Sequence, residues 1–235
     1  MSTVLITGAS RGIGRATAKA FANAGWNLLL TSRSKNDLES LIDEIDNKKI
    51  KIFHKSIDLS DSKNISNGIS ELIKNGLVPS VLINNAGVAW TGDLLSMSIE
   101  KWEWLMQMNL TSIFQVCSEV VPLMRRKGGL VINVSSHASR NSFPQWGAYC
   151  VSKAALSSFT KCLAEEERKN LIRACTLTIG SVNSSLWDSE TVGMQFDRKS
   201  MLSVDQVAYE LLHLANQPTS QIIEDLTLMP SSGAL

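Results

Sequence analysis

The stretch Val4-Leu5-Ile6-Thr7-Gly8-Ala9-Ser10-Arg11-Gly12-Ile13-Gly14 decides how this chain folds. A short apolar run ends at Thr7, and a helical pattern opens at Gly14 and continues to Ala24. The glycines between them permit a tight turn and a close approach of backbone to a bound group. A helix that starts at such a turn offers unpaired N–H groups and a partial positive charge to a pyrophosphate. The spacing is G-x-x-x-G-x-G, not the more familiar G-x-G-x-x-G. A glycine-rich turn alone is weak evidence. The strand before it and the helix after it give it meaning.

The same alternation extends outward. Val4–Thr7, Asn27–Thr31, Ile50–His54, Val81–Asn84, Leu130–Val134, Ala174–Ile179 and Ile222–Met229 read as strands. Helical patterns span Gly14–Ala24, Lys35–Asp46, Asp61–Asn75, Lys101–Lys127, Ala148–Asn170 and Val204–Ala215. Ser34 or Asn36, and Asp61 or Ser60, stand where helices need N-caps, and Gly25 stands where one ends. This order predicts an α/β fold, a doubly wound parallel sheet of about seven strands with helices on both faces. No linker or repeat divides residues 1–235, so a single domain is expected. Residues 184–203 lack periodicity, which predicts a lid over a site at 185–203.

Composition excludes other classes. The 235 residues carry 23 basic and 22 acidic side chains, a net charge of +1, so nothing favours nucleic acid or an anionic membrane surface. Strand-like sequence from Thr3 leaves no room for a targeting segment, and no apolar run suits a bilayer. A cytoplasmic location is expected. Cys117, Cys150, Cys162 and Cys175 form no CxxC pair, and neither disulfides nor a metal site is expected.

The chemistry-bearing residues lie further along. Tyr149 and Lys153 are four residues apart on a predicted helix, so they share a face. Ser136 stands thirteen residues before Tyr149. A free phenol has a pKa of about 10. A nearby ammonium is expected to lower it toward neutrality and fit it for proton transfer. The other tyrosine, Tyr209, has His213 at that offset and cannot form the pair. Ser135 competes with Ser136, but neighbours in a strand point to opposite faces.

Taken together, Thr7–Gly14, Asn84-Asn85-Ala86-Gly87, Asn109, Ser136 and Tyr149-x-x-x-Lys153 resemble the short-chain dehydrogenase/reductase family, in the right order and over nearly the whole chain. The resemblance implies a Rossmann-type fold. It also implies hydride transfer between a nicotinamide and a ketone or aldehyde, or an alcohol in reverse. Tyr149 is then the acid or base, Ser136 orients the substrate oxygen, and Lys153 bonds the nicotinamide ribose. Asn109 holds a water that connects Lys153 to solvent. The cofactor cradle comprises Gly8, Ser10, Arg11, Gly12, Ile13 and Gly14, followed by Asn85, Ala86 and Gly87.

The adenosine end selects the cofactor. Ser32 stands where NAD-preferring relatives usually carry an acid, and Arg33 follows it. With Arg11 it can hold a 2′-phosphate, so NADP(H) is expected. Asp58 and Leu59 are expected against the adenine, unless Asp58 caps the next helix. Near the nicotinamide, Gly180 and Val182 match the family, but Ile179 replaces its usual proline. Trp90, His137, Trp146 and Trp187 are candidate substrate contacts, with Phe143, Met194 and Phe196 nearby. A homo-oligomer, dimer or tetramer, built on the helices near 101–127 and 148–170, is expected. The competing readings are a 3-oxoacyl or pteridine reductase and an idle NADP-binding module.

Overall fold

The computed structural model describes residues 1–193 and 197–233. Its strands are β1 (Thr3–Thr7), β2 (Asn27–Ser32), β3 (Ile52–Ser56), β4 (Val81–Asn84), β5 (Gly129–Ser136), β6 (Ile172–Ile179) and β7 (Asp225–Leu228). The long helices are α1 (Gly12–Asn23), α2 (Lys35–Glu44), α3 (Ser62–Ile73), α4 (Ile99–Met106), α5 (Ser112–Met124), α6 (Gly147–Glu167) and α7 (Val204–Ala215). All pairings are parallel, in the order β3-β2-β1-β4-β5-β6-β7. The order reverses between β1 and β4, and loops diverging there open a crevice at the strands' C-terminal ends.

Alternation along the strands builds two cores. Val4, Ile6, Leu28 and Leu30 face α1, α2 and α7, meeting Phe21, Leu41 and Leu211. Leu5, Leu29 and Leu82 face α3, α5 and α6, meeting Ile69, Val120 and Leu156. Central strands covered on both sides need unbroken apolar runs, and β1 and β2 are buried at every position. Ser34 caps α2 and Asp61 caps α3, while Gly25 takes the left-handed conformation after α1.

Several elements differ from the sequence reading. The helix expected over Lys101–Lys127 is interrupted by a π-helical turn, Gln107–Thr111, between α4 and α5. A single wider turn shifts the phase of the apolar pattern only slightly and does not read as a break. The third strand lies two residues later than expected, because Lys55 and Ser56 pair with Thr31 and Ser32 at the sheet edge, where polar residues reach water. The last strand is shorter than expected, limited by its pairing with Thr176–Ile179. Among the described residues, no helix is long and apolar enough to cross a membrane.

Candidate active site

A cleft of about 280 Å³ opens at the switch point. Its first wall is the turn after β1, fastened to the turn after β4. Thr7 Oγ1 accepts hydrogen bonds from the backbone N–H groups of Asn85 and Ala86, both at 3.1 Å. Asn85 Nδ2 donates to the carbonyls of Thr7 and Gly8 at 3.1 and 3.2 Å. The Asn85 amide is therefore spent on the protein, and its backbone faces the cleft together with Ala86 and Gly87. Thr7 was not singled out as a site residue by sequence; a hydroxyl ending a strand was its only signal.

Close approach explains two of the glycines. A Cβ on Gly8, where φ is +66°, would lie 2.9 Å from Ala86 Cα. On Gly14 it would lie 2.1 Å from the Gly8 carbonyl oxygen. Helix α1 begins at Gly12, earlier than expected, so Gly12, Ile13 and Gly14 all fall in its first turn, and Ser10, Arg11, Gly12 and Ile13 line the cleft.

At the far end, Arg11 and Arg33 are exposed on the rim, and among the described residues neither makes an ion pair. Arg15, one turn on, is committed to Glu44 at 2.6 Å. Asp58 also lines this end, beside Leu59. Burial works to raise its carboxyl, but two hydrogen bonds from Ser60, at 2.9 and 2.7 Å, and the Arg33 charge outweigh this and lower it. Asp58 does not cap the following helix; Asp61 does, accepting from Lys63 N. Asp37, in the first turn of α2, Trp104, in α4, and Met108, in the π-turn, line the cleft too. They belong to no motif, and no signal in the sequence marked them.

The chemical end forms where α6 crosses β5. Tyr149 and Lys153 both line the cleft and are buried, 8% and 6% exposed. The Ser136 side chain hydrogen-bonds the Tyr149 phenol. Ser135 turns the other way, its hydroxyl 3.4 Å from that of Ser157. By contrast, Tyr209 is 67% exposed.

The proton affinities differ from expectation. Burial pushes Tyr149 up to about 12, and the Ser136 hydrogen bond offsets only part of this. Lys153 does not lower it. Its Nζ, 5.8 Å from the phenol ring centroid, donates to the Val134 carbonyl at 3.0 Å, and burial pushes the amine down to about 8. In the protein alone, desolvation of both groups outweighs their mutual charge stabilisation.

Asn109 lies in the π-turn, fully buried. Its Oδ1 accepts from Val88 N at 2.9 Å, and its Nδ2 donates to Val88 O at 2.9 Å and Ser152 Oγ at 3.0 Å. Those three bonds pin the loop after β4 and join it to α6. A Cβ on Gly87 would meet Asn109 Oδ1 at 3.3 Å and Lys153 Nζ at 3.5 Å, so only glycine lets the two converge without displacement.

After β6, Ile179 and Ser184–Leu186 form the cleft wall. Gly180 and Val182 face elsewhere. A Cβ on Gly180 would strike Pro230 Cδ at 2.6 Å, and the Val182 carbonyl accepts the Trp187 indole N–H at 2.7 Å. The segment beyond is tied to the loop after β4: Thr191 Oγ1 donates to Ala89 O at 2.6 Å, and Thr91 N donates to Thr191 O at 2.9 Å. Met194 and Phe196 lie outside the described residues.

Of the four substrate candidates, two reach the phenol's surroundings. Trp146 meets Tyr149 edge-on at 5.6 Å between ring centres, and Trp187 meets Trp146 at 5.8 Å. Leu186, Val192 and Phe143 complete this apolar cluster. His137 instead pairs with Asn141 at 2.9 Å, and Trp90 folds against Gly92.

The family model described as short chain dehydrogenase matches residues 2–194. An NADP-dependent 3-hydroxy acid dehydrogenase of Schizosaccharomyces pombe is 29% identical, over 97% of this chain and 92% of its own. The 3-oxoacyl-[acyl-carrier-protein] reductase of Thermotoga maritima is 29% identical, over 93% and 92%. Among solved structures, an alcohol dehydrogenase of Thermococcus sibiricus complexed with 5-hydroxy-NADP superposes with a TM-score of 0.88 at 26% identity, covering 98% of this chain and 97% of that one.

Proposed function

The chain belongs to the short chain dehydrogenase family, and on that premise we propose that it catalyses NADPH-dependent reduction of a ketone or aldehyde, with alcohol oxidation as the reverse. One observation carries the reading. A buried phenol, hydrogen-bonded to Ser136, stands on the wall of the glycine-rich cleft with an amine beside it.

The cleft suits a phosphorylated dinucleotide. Gly8 and Gly14 hold backbone where no side chain fits, so the first turn of α1 remains open to a pyrophosphate. Arg11 and Arg33, both without ion pairs among the described residues, suit the extra phosphate of NADP. Asp58 and Leu59 line the adenine side. When bound, NADPH supplies the hydride.

The residues of this chain manage the proton. The Tyr149 phenol is protonated at neutral pH and can donate to the oxygen that becomes the alcohol; burial makes it a weaker acid, so support for the phenolate has to come from charge beside it. Ser136, already on the phenol, orients that oxygen. Below about pH 8 Lys153 is an ammonium, and its charge supports the phenolate left by proton transfer. Asn109 acts through position, fixing Val88 and the turn that passes Lys153. Residues 185–193 and 197–203 serve as the lid over the substrate. Copies of the chain associate through the outer faces of α5 and α6, a reading supported by Phe114 and Val151, 55% and 43% exposed there.

The test measures NADPH consumption across aliphatic, aromatic, diketone, acyl-thioester and pterin carbonyls, with NADPH binding followed by fluorescence. Turnover that Tyr149→Phe abolishes while binding persists supports the assignment. Binding without turnover of any carbonyl, unchanged by Tyr149→Phe, replaces it with a nucleotide-binding module.

A further inference from the structure

We propose that the carbonyl substrate is uncharged and carries an apolar, preferably aromatic, group held against Trp146 and Trp187. This rests on the reductase reading and gives that site its substrate class. Four observations meet at one place. Trp146 stands at the N-terminus of α6, its ring edge-on to the phenol of Tyr149 at 5.6 Å. Trp187, from the segment after β6, continues the aromatic wall at 5.8 Å. The Trp187 indole N–H is bonded to the Val182 carbonyl at 2.7 Å, which fixes the orientation of its ring. Leu186, Val192 and Phe143 fill in around them. A flat apolar group beside the reacting carbonyl would meet aromatic faces and edges, contacts worth more than their buried area alone.

Charge points the same way. Among the described residues, Arg198, Arg140, Lys153 and His137 each already have a partner. Arg198 grips Asp188 through two bonds at 2.6 and 3.3 Å. Arg140 pairs with Asp225 at 2.5 Å and bonds Thr227. Lys153 donates to Val134 O. His137 pairs with Asn141. A substrate carboxylate would therefore lose its hydration without gaining a partner, an expensive exchange in an apolar setting. In this respect the wall differs from what an acid substrate, such as that named for the Schizosaccharomyces pombe relative, requires.

The experiment compares kcat/KM, under saturating NADPH, for benzaldehyde and 4-carboxybenzaldehyde, and for an aryl methyl ketone and a 3-oxo acid. The neutral member of each pair is expected to be favoured by at least about tenfold, equivalent to ~1.4 kcal/mol. Trp187→Ala should raise KM for the aryl substrates and shrink that preference. Trp187→Phe, which keeps an aromatic face but loses the indole bond, should retain most of it. Arg198→Ala should leave the acids no worse. Equal or better turnover of the charged members, or loss of their turnover in Arg198→Ala, overturns the inference and leaves the reductase reading intact. If no carbonyl of either kind is reduced although NADPH binds, the reductase reading itself is overturned, and the inference with it.

Discussion

The two ends of the cleft are built from different materials. At the glycine-rich end the shape is made by backbone: Thr7 and Asn85 bind main-chain atoms, and two glycines lie where a Cβ would collide. At the substrate end the shape is made by side chains from distant segments, with Trp146, Trp187 and Leu186 gathered around Tyr149. The first end has hardly any freedom to vary, because two glycines and the side chains of Thr7 and Asn85 are each fitted to neighbouring main chain. The second can be refitted one side chain at a time, which suits one scaffold to many carbonyls.

That contrast can be broken or sharpened experimentally. The largest effect is expected where the ends meet: Tyr149→Phe should lower kcat by about 10²–10⁴-fold, the range of a lost general acid, with NADPH binding unchanged in a fluorescence titration. Next comes Gly14→Ala. A Cβ placed 2.1 Å from a carbonyl oxygen forces the turn apart. Urea denaturation should show a loss of about 1–3 kcal/mol, with weakened NADPH binding. A Gly14→Ala protein of normal stability and affinity would contradict the claim that backbone sets this end. Arg33→Ala lies on the rim and removes only a charged hydrogen bond, worth about 1.5–3 kcal/mol, so KM should rise by about 10–100-fold for NADPH and little for NADH. Equal changes with both cofactors would remove the reason for preferring NADPH.

Lys153 supplies two smaller tests. With its amine pushed down to about 8, the ammonium is lost as pH rises through that value, so carbonyl reduction should fall by about fivefold between pH 8 and pH 9. Stability runs the opposite way. The unfolded amine titrates at about 10.4, so the unfolded chain binds more protons between pH 8 and that value, and stability rises with pH across this window. Lys153→Met removes the buried charge. It should weaken reduction by less than Tyr149→Phe does, yet raise Tm at pH 7 by about 2–4 °C, with a smaller gain at pH 10. A fall in Tm at pH 7 would mean that the bond to the Val134 carbonyl outweighs the burial of the charge.

The same division explains what could be read in advance. The parallel sheet, a glycine-rich turn leading into α1, a cap at Asp61 or Ser60 and the pairing of Tyr149 with Lys153 all follow from local spacing. Strand alternation set Ser135 and Ser136 on opposite faces, and the thirteen-residue interval to Tyr149 favoured Ser136. The π-turn at Gln107–Thr111 was not legible, because one wider turn shifts the helical phase without altering composition. Nor was the occupation of the Asn109 amide by Val88 and Ser152, which depends on three separate segments arriving together. Trp104, Met108 and Asp37 went unmarked for the same reason.

Sequence by itself determined the layered α/β fold, the glycine-rich turn after β1 and the pairing of Tyr149 with Lys153, because periodicity, glycine sterics and i,i+4 spacing act over one or two turns of chain. Tertiary structure alone decided the proton affinities, the orientation of Asn109 and the aromatic wall beside Tyr149. Those depend on burial and on contacts between residues far apart in the chain, and neither quantity exists until the helices have closed over the sheet.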